Sequence, residues 1–330
     1  MQIIIVKENE KGQRLDKLLS KYMNKAPKSF LYKMLRKKNI ILNGARAEGS
    51  ELLMCGDEIR LYLADETIEK FRESVQVALV EMEPDIIFED DNFLFINKPE
   101  GILSQKAKDA DISMVEILIS YLVKKGELTQ KQLESFRPSV CNRLDRNTTG
   151  LLAAGKTLSA LQMLSQLFKE RALEKYYLCL VKGEMQAATL EGYLSKDKRT
   201  NMVTVRTKPA SPEDLPICTS YQPLTSNGTL TLLKVKLITG RTHQIRAHLS
   251  SAGHPIIGDP KYGDRRINYY YHNMYQISSQ LLHSYELCFP ELDGTFSYLS
   301  GKGFVAPLPE SFLRLMRGEG LIWRHGIPEA

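Results

Sequence analysis

The sequence predicts an α+β protein in which a mixed, mainly antiparallel sheet forms the body and a small basic module precedes it. Three observations lead there. Strand patterns outnumber helical ones in the body, turn signals between them are short enough for antiparallel pairing, and the formal charge excess is confined to one end. Residues 1–60 hold 13 Lys or Arg against 7 Asp or Glu, while the rest of the chain holds 32 of each, so the whole net charge of +6 is N-terminal. A basic appendage on a neutral body suits a polyanionic partner.

The N-terminal elements read in order as two helices and a hairpin. Arg14 to Met23 places Leu15, Leu18, Leu19 and Tyr22 on one helical face, and Pro27-Lys28-Ser29 opens a second helix that turns Phe30, Leu31, Met34 and Leu35 inward. Lys28, Lys33, Arg36, Lys37 and Lys38 lie on or near that helix. Ile40 to Leu42 reads as a strand, Asn43-Gly44 as a tight turn, and Gly56 to Leu63 as a second strand. Residues 64–84 are charged and read as a linker with some local structure.

The body opens with a hairpin, Ile86 to Glu89 and Phe93 to Ile96, followed by the turn Lys98-Pro99-Glu100-Gly101. Ser113 with Glu116 forms a capping box ahead of Met114 to Lys124, and Thr157 caps a helix bearing Leu158, Leu161, Leu164 and Phe168. Further strands are expected at Tyr176 to Val181, Met202 to Arg206, Ile217 to Tyr221 and Leu230 to Ile238. His243 to Ser251 reads as a helix stopped by Gly253 and Pro255.

Two features exclude function classes. The first residues turn charged at Lys7, too early for a signal peptide, and no apolar stretch has membrane-spanning length, so the expectation is a cytoplasmic protein with no membrane partner. Five scattered cysteines without a C-x-x-C pair read as reduced and mostly buried. His243, His248 and His254 lack zinc-motif spacing and read as helix packing and backbone hydrogen bonding.

Gly150 to Thr157 spells G-x-x-x-x-G-K-T, the pattern of a phosphate-cradling loop, but the context is inverted. Such a loop needs an apolar strand before its first glycine and a flexible loop after it. Here polar residues precede Gly150, and Leu151 to Ala154 form an apolar run that should be a buried strand. ATP chemistry is therefore not expected. Attention moves to Arg143, Asp145 and Arg146 ahead of the strand, where flanking guanidinium groups should keep Asp145 ionised.

The stretch CNRLDRNTTGLLAAGK, residues 141–156, resembles the His-Arg-Leu-Asp-x-x-Thr-Ser-Gly-Leu-Leu signature of the RluA family of pseudouridine synthases. In register follow LEKYYLCLVKG (173–183) and LITGRTHQIRAHLSSAGHPIIGDPKYG (237–263); IIFEDDNFLFINKPEGILS lies upstream and LLHSYELCF downstream. Residues 12–63 resemble the small RNA-binding domain named after ribosomal protein S-four. Together they look most like the RluC type, which modifies uridines of large-subunit ribosomal RNA. Asn142 stands where the family usually has His, and Thr149 where it has Ser.

The resemblance implies a pseudouridine synthase fold, with an S-four-type domain in residues 1–72 and a catalytic domain in 73–330. It implies that Asp145 is the essential carboxylate, acting on ribose as nucleophile or base. Tyr177 would stack on the target base, with Tyr176 pointing to the opposite face into the core, and Arg246 would pair with Asp145. Arg143 would fill the space vacated by the flipped base, Lys98 would contact the RNA backbone or serve the fold, and the basic helix would add phosphate contacts. No cofactor, no metal and no nucleotide are implied. The competing readings are a non-catalytic RNA-binding ribosome assembly factor and a nucleoside hydrolase, the latter disfavoured because no second carboxylate accompanies Asp145.

Overall fold

The computed structural model describes residues 1–73, 79–197, 200 and 202–323. Its N-terminal module runs Gln2–Ile5 (β1), Leu15–Tyr22 (α1), Lys28–Arg36 (α2), Ile40–Leu42 (β2), Ala45–Arg46 (β3), Glu58–Leu61 (β4) and Asp65–Phe71 (α3). The four strands form an antiparallel sheet in the order β1-β4-β2-β3. Asn43 and Gly44 both take positive φ between β2 and β3, the geometry of a two-residue hairpin turn that these residues favour. Leu15, Leu18 and Leu19 pack with Leu31, Met34, Leu35, Ile40, Ile59 and Leu61, as the 3.6-residue spacing predicts. The structure adds two elements. The opening apolar run, unassigned from sequence, is strand β1, and the local structure expected in the linker is helix α3, whose Ile68 is fully buried in the module's core; residues 74–78 lie outside the described part.

The body runs Ile86–Glu89 (β5), Phe93–Lys98 (β6), Met114–Lys124 (α4), Ser139–Val140 (β7), Thr149–Gly155 (β8) and Leu158–Glu170 (α5). It continues with Glu174–Lys182 (β9), Ala188–Asp197 (β10), Met202–Arg206 (β11), Leu215–Ser226 (β12), Leu230–Leu237 (β13) and Gln244–Ser251 (α6). Arg265–Tyr275 (α7), Leu282–Cys288 (β14), Gly303–Val305 (β15) and Glu310–Gly318 (α8) complete it. Both helix caps expected from sequence are present: the Ser113–Glu116 capping box starts α4, and the Thr157 hydroxyl accepts the Ala160 N–H at 3.3 Å to start α5.

The eleven strands form one sheet, β11-β10-β12-β13-β9-β14-β8-β6-β5, with β15 beside β14 and β7 beside β8. Every pairing is antiparallel except β14 with β8. Helices cover both faces of its centre. Tyr177, Cys179 and Val181 of β9 turn toward the core beneath α4 and α6, while Leu178 and Leu180 turn toward α7 and α8. Phe93, Phe95, Leu151 and Ala153 pack under α5. A strand covered on both faces has no reason to alternate, and all seven residues of β8 are buried.

Pairing across the centre aligns Val235, Tyr177, Ser284, Gly150 and Lys98 in one row. Gly150 is required there. At φ +103° its backbone lies so close to β14 that a Cβ would stand 2.2 Å from the Ser284 carbonyl oxygen.

Candidate active site

Asp145 sits in the loop entering β8, and the chain on both sides of it is tied down. Cys141 N–H donates to the Ala153 carbonyl at 2.7 Å, and the Asn142 amide brackets β8 by bonding the Leu151 carbonyl and the Ala153 N–H. The Ser104 hydroxyl donates to the Leu144 carbonyl at 3.0 Å and accepts the Leu144 N–H at 2.9 Å. Lys98 Nζ donates to the Arg146 carbonyl at 2.7 Å. The carboxylate is thus presented from a loop held immediately before and after it.

Arg246, on α6, meets it. Nη1 donates to Asp145 Oδ2 at 2.7 Å, while Nε and Nη2 grip Asp259 Oδ2 and Oδ1 at 2.7 and 2.9 Å. The bidentate grip fixes the plane of the guanidinium and aims its remaining edge at Asp145. Asp259 is 1% exposed and Arg246 4%, so neither charge is tolerable without the other. Burial opposes the charge on both; their mutual pairing overcomes it, raising Arg246 above the ordinary arginine value and lowering Asp259 below the ordinary carboxylate value. Asp259 also accepts the N–H groups of Lys261 and Tyr262.

His243, the residue capping α6, adds a second group. It adopts left-handed φ +54°, an uncommon conformation for a non-glycine residue, and its Nε2 lies 3.8 Å from Asp145 Oδ2. Its Nδ1 is 2.9 Å from the Tyr262 hydroxyl. That hydroxyl accepts the Val203 N–H at 2.9 Å and keeps a proton of its own to give; in the tautomer where Nδ1 accepts it, the neutral ring carries its proton on Nε2, facing Asp145. Burial lowers the His243 pKa against the pull of Asp145, which favours this neutral form. Sequence reading had assigned His243 to packing. Both Arg246 and His243 address Oδ2, and among the described residues no donor reaches Oδ1, the oxygen left free to react.

Tyr177 lies under the same site. Burial pushes its phenol up to about 12, with Ser284 hydrogen-bonded to it and Asp145 close enough to raise it further. Tyr176 departs from expectation. It is not in the core: its hydroxyl donates to Glu174 at 2.7 Å and its ring lies beneath the Lys234 and Lys236 ammonium groups. The inference of opposite faces was sound, but β9 buries Tyr177 and leaves Tyr176 half-buried on the other side.

Lys98, read from sequence as an RNA-backbone contact or a residue serving the fold, takes the second role: it is fully buried, and Nζ donates to the carbonyls of Pro99, Ile102 and Arg146, each at 2.7 Å. Burial drives its pKa down to about 7 against the opposing pull of Asp145 and Glu100. It positions the Asp145 loop from beneath. Arg143 and Arg146 are exposed and make no ion pair with Asp145 among the described residues, so the expected pair of neighbouring guanidinium groups is replaced by Arg246. Lys28, Lys33, Arg36, Lys37 and Lys38 are all exposed, and none joins an ion pair among the described residues.

The G-x-x-x-x-G-K-T match has no phosphate cradle. Gly150 and Gly155 end one strand, and Lys156 is spent on Glu89 at 2.9 Å and Glu127 at 2.5 Å. Among the described residues there is no group of three His, Cys, Asp or Glu able to hold a metal, and no helix is long and apolar enough to cross a membrane.

Comparison with known proteins agrees with this geometry. Residues 92–251, which include the Asp145 loop, Tyr177 and Arg246, match the family described as RNA pseudouridylate synthase. The ribosomal large subunit pseudouridine synthase C of Vibrio parahaemolyticus is 32% identical over 282 residues, covering 82% of each chain. The Escherichia coli protein of the same name is 31% identical over 285 residues, covering 81% of this chain and 82% of that protein. In fold, the chain is similar to human RNA Pseudouridylate Synthase Domain Containing 4, with a TM-score of 0.57 at 21% identity over 72% of this chain and 93% of that one. By its likeness to these relatives over most of their length, the chain belongs to the RNA pseudouridylate synthase family.

Proposed function

We propose that this enzyme isomerises specific uridines of large-subunit ribosomal RNA to pseudouridine in the cytoplasm, with Asp145 as its catalytic residue. The observation that carries the assignment is the carboxylate with one oxygen held by a buried, pre-aimed guanidinium and the other left free. The names of the relatives support the ribosomal substrate over the assembly-factor reading.

The reaction breaks the bond between uracil nitrogen 1 and ribose carbon 1′, turns the base, and joins carbon 5 to carbon 1′; carbon 5 loses a proton and nitrogen 1 gains one. Asp145 Oδ1 starts it, whether by attack on carbon 1′ or by removing the carbon 2′ proton. Arg246 holds and orients the carboxylate where RNA phosphates would otherwise repel it. Tyr177, its phenol held protonated at neutral pH, forms the floor on which the base stacks and lies where it can pass a proton at carbon 5. Arg143, exposed two residues before Asp145, fills the gap left in the RNA stack when the uridine swings out, a step costing a few kcal/mol.

The two parts of the chain divide the work in this reading. Residues 73–330 carry the chemistry, and residues 1–72, an S-four-type RNA-binding domain, anchor the RNA through the exposed cations of α2 and the turn after it. The test is to incubate the protein with transcribed large-subunit ribosomal RNA and map pseudouridine along it. Conversion at discrete uridines without free uracil is expected; release of uracil would make it a hydrolase, and binding without conversion an assembly factor.

A further inference from the structure

Arg241 is a guanidinium for which the chemistry above has no use. It lies on the turn between β13 and α6, two residues before His243. That turn is rigidly held. The Arg241 N–H donates to Gln244 Oε1 at 3.1 Å, the Thr239 hydroxyl donates to the same oxygen, and Gln244 Nε2 donates to the Cys218 carbonyl and the Thr219 hydroxyl. The backbone of Arg241 is therefore fixed while its side chain is not provided for: Nε is buried with no hydrogen-bond partner among the described residues.

The side chain lines a cleft of about 550 Å³ between Leu194, Ser195 and Lys196 of β10, the segment from Ala210 to Leu215, and the turn Gly240 to Thr242. The nearby carboxylate of Asp214 is already occupied, accepting from the Ser195 hydroxyl at 2.6 Å and the Ala210 and Ser211 N–H groups at 2.7 and 3.2 Å. Lys196, a second cation on the cleft wall, is in no ion pair among the described residues. Thr242 of the cleft wall is followed in the chain by His243, whose Nε2 lies 3.8 Å from Asp145 Oδ2, so one turn carries both the cleft wall and a neighbour of the carboxylate.

A guanidinium placed by a fixed turn but left without an internal acceptor is matched to an acceptor that arrives from outside. Two cations and a planar fork select an anion with paired oxygens, and a phosphodiester has that shape. We propose that Arg241 holds a backbone phosphate of the RNA within one or two nucleotides of the target uridine. This rests on the RNA-modifying reading given above and adds a defined contact to it.

The experiment uses full-length enzyme and the shortest fragment of large-subunit ribosomal RNA that the wild type converts, synthesised with one uncharged methylphosphonate at each linkage near the target in turn. Arg241→Met is expected to lower kcat/KM about tenfold, mainly through KM, and to reduce the salt slope of binding by about one. At one linkage the methylphosphonate should cost the wild type a similar factor and cost Arg241→Met nothing further. Arg241→Lys, which keeps the charge and loses the fork, should retain part of the linkage effect, and it serves as the test variant should the Met protein melt early. Losses that multiply at every linkage would overturn the inference. A wild type that converts no uridine in intact ribosomal RNA would overturn the functional reading itself, and this contact with it.

Discussion

At the scale of single residues, the site depends on Arg246 being held by two carboxylates with different jobs. Asp259 anchors it, and Asp145, the proposed catalytic carboxylate, takes its remaining edge. Asp259→Asn, measured by chemical denaturation, is expected to cost about 3–5 kcal/mol, because it breaks a buried ion pair from one side. Tyr177→Phe should fold normally and lose conversion far more than RNA affinity; equal losses in both would assign Tyr177 to binding. The pair Asp145–Arg246 was legible because both positions lie in recognisable motifs. Asp259 and His243 were harder: Asp259 lies within the quoted GDPKYG segment but looks like an ordinary turn acid, and His243 looks like a helix residue until its left-handed backbone turns the ring toward Asp145. Lys98 was left between an RNA contact and a role in the fold, because most lysines are exposed and nothing in the sequence announces three carbonyls converging on its ammonium group.

At the scale of elements, the parallel junction of β8 and β14 carries the site, and two groups hold it together. Gly150→Ala forces a Cβ onto the Ser284 backbone at a positive φ, and loss of more than about 3 kcal/mol of stability is expected in a thermal or denaturant melt. His283, buried in β14, accepts the Thr149 hydroxyl at Nδ1 and donates from Nε2 to the Ala306 carbonyl. Burial lowers its pKa to about 4, with the Ala306 carbonyl opposing. Below the ordinary histidine value the unfolded chain binds a proton that the folded chain refuses, so stability falls as pH drops from about 6.5 toward 4, by on the order of 3 kcal/mol. Replacing His283 with Gln should flatten that pH dependence in denaturation curves. The apolar run of β8 was legible from its composition; β10 was not, because half of its ten residues are exposed and only Gly192 and Leu194 are buried, too short a stretch to mark a strand. Strand β1 was missed for a related reason: four residues with alternate burial give too little signal when they open a chain.

At the scale of the whole molecule, charge and chemistry are separated along the chain. The α2 cations and those of the turn after it are exposed and the proposed catalytic residues lie wholly in the body, while contacts such as Gln162 Nε2 to the Gly12 carbonyl at 3.1 Å and the Arg72–Glu134 ion pair join the two. Deleting residues 1–72 should weaken RNA binding and flatten its salt dependence, since fewer counterions are released, while slow conversion persists at high enzyme concentration. An unchanged salt slope would withdraw the anchoring role from the module. The most direct test of the account is pseudouridine formation in large-subunit ribosomal RNA by Asp145→Asn beside the wild type, with RNA affinity measured in parallel. The account predicts full loss of conversion with affinity nearly intact; conversion within tenfold of the wild type would contradict it.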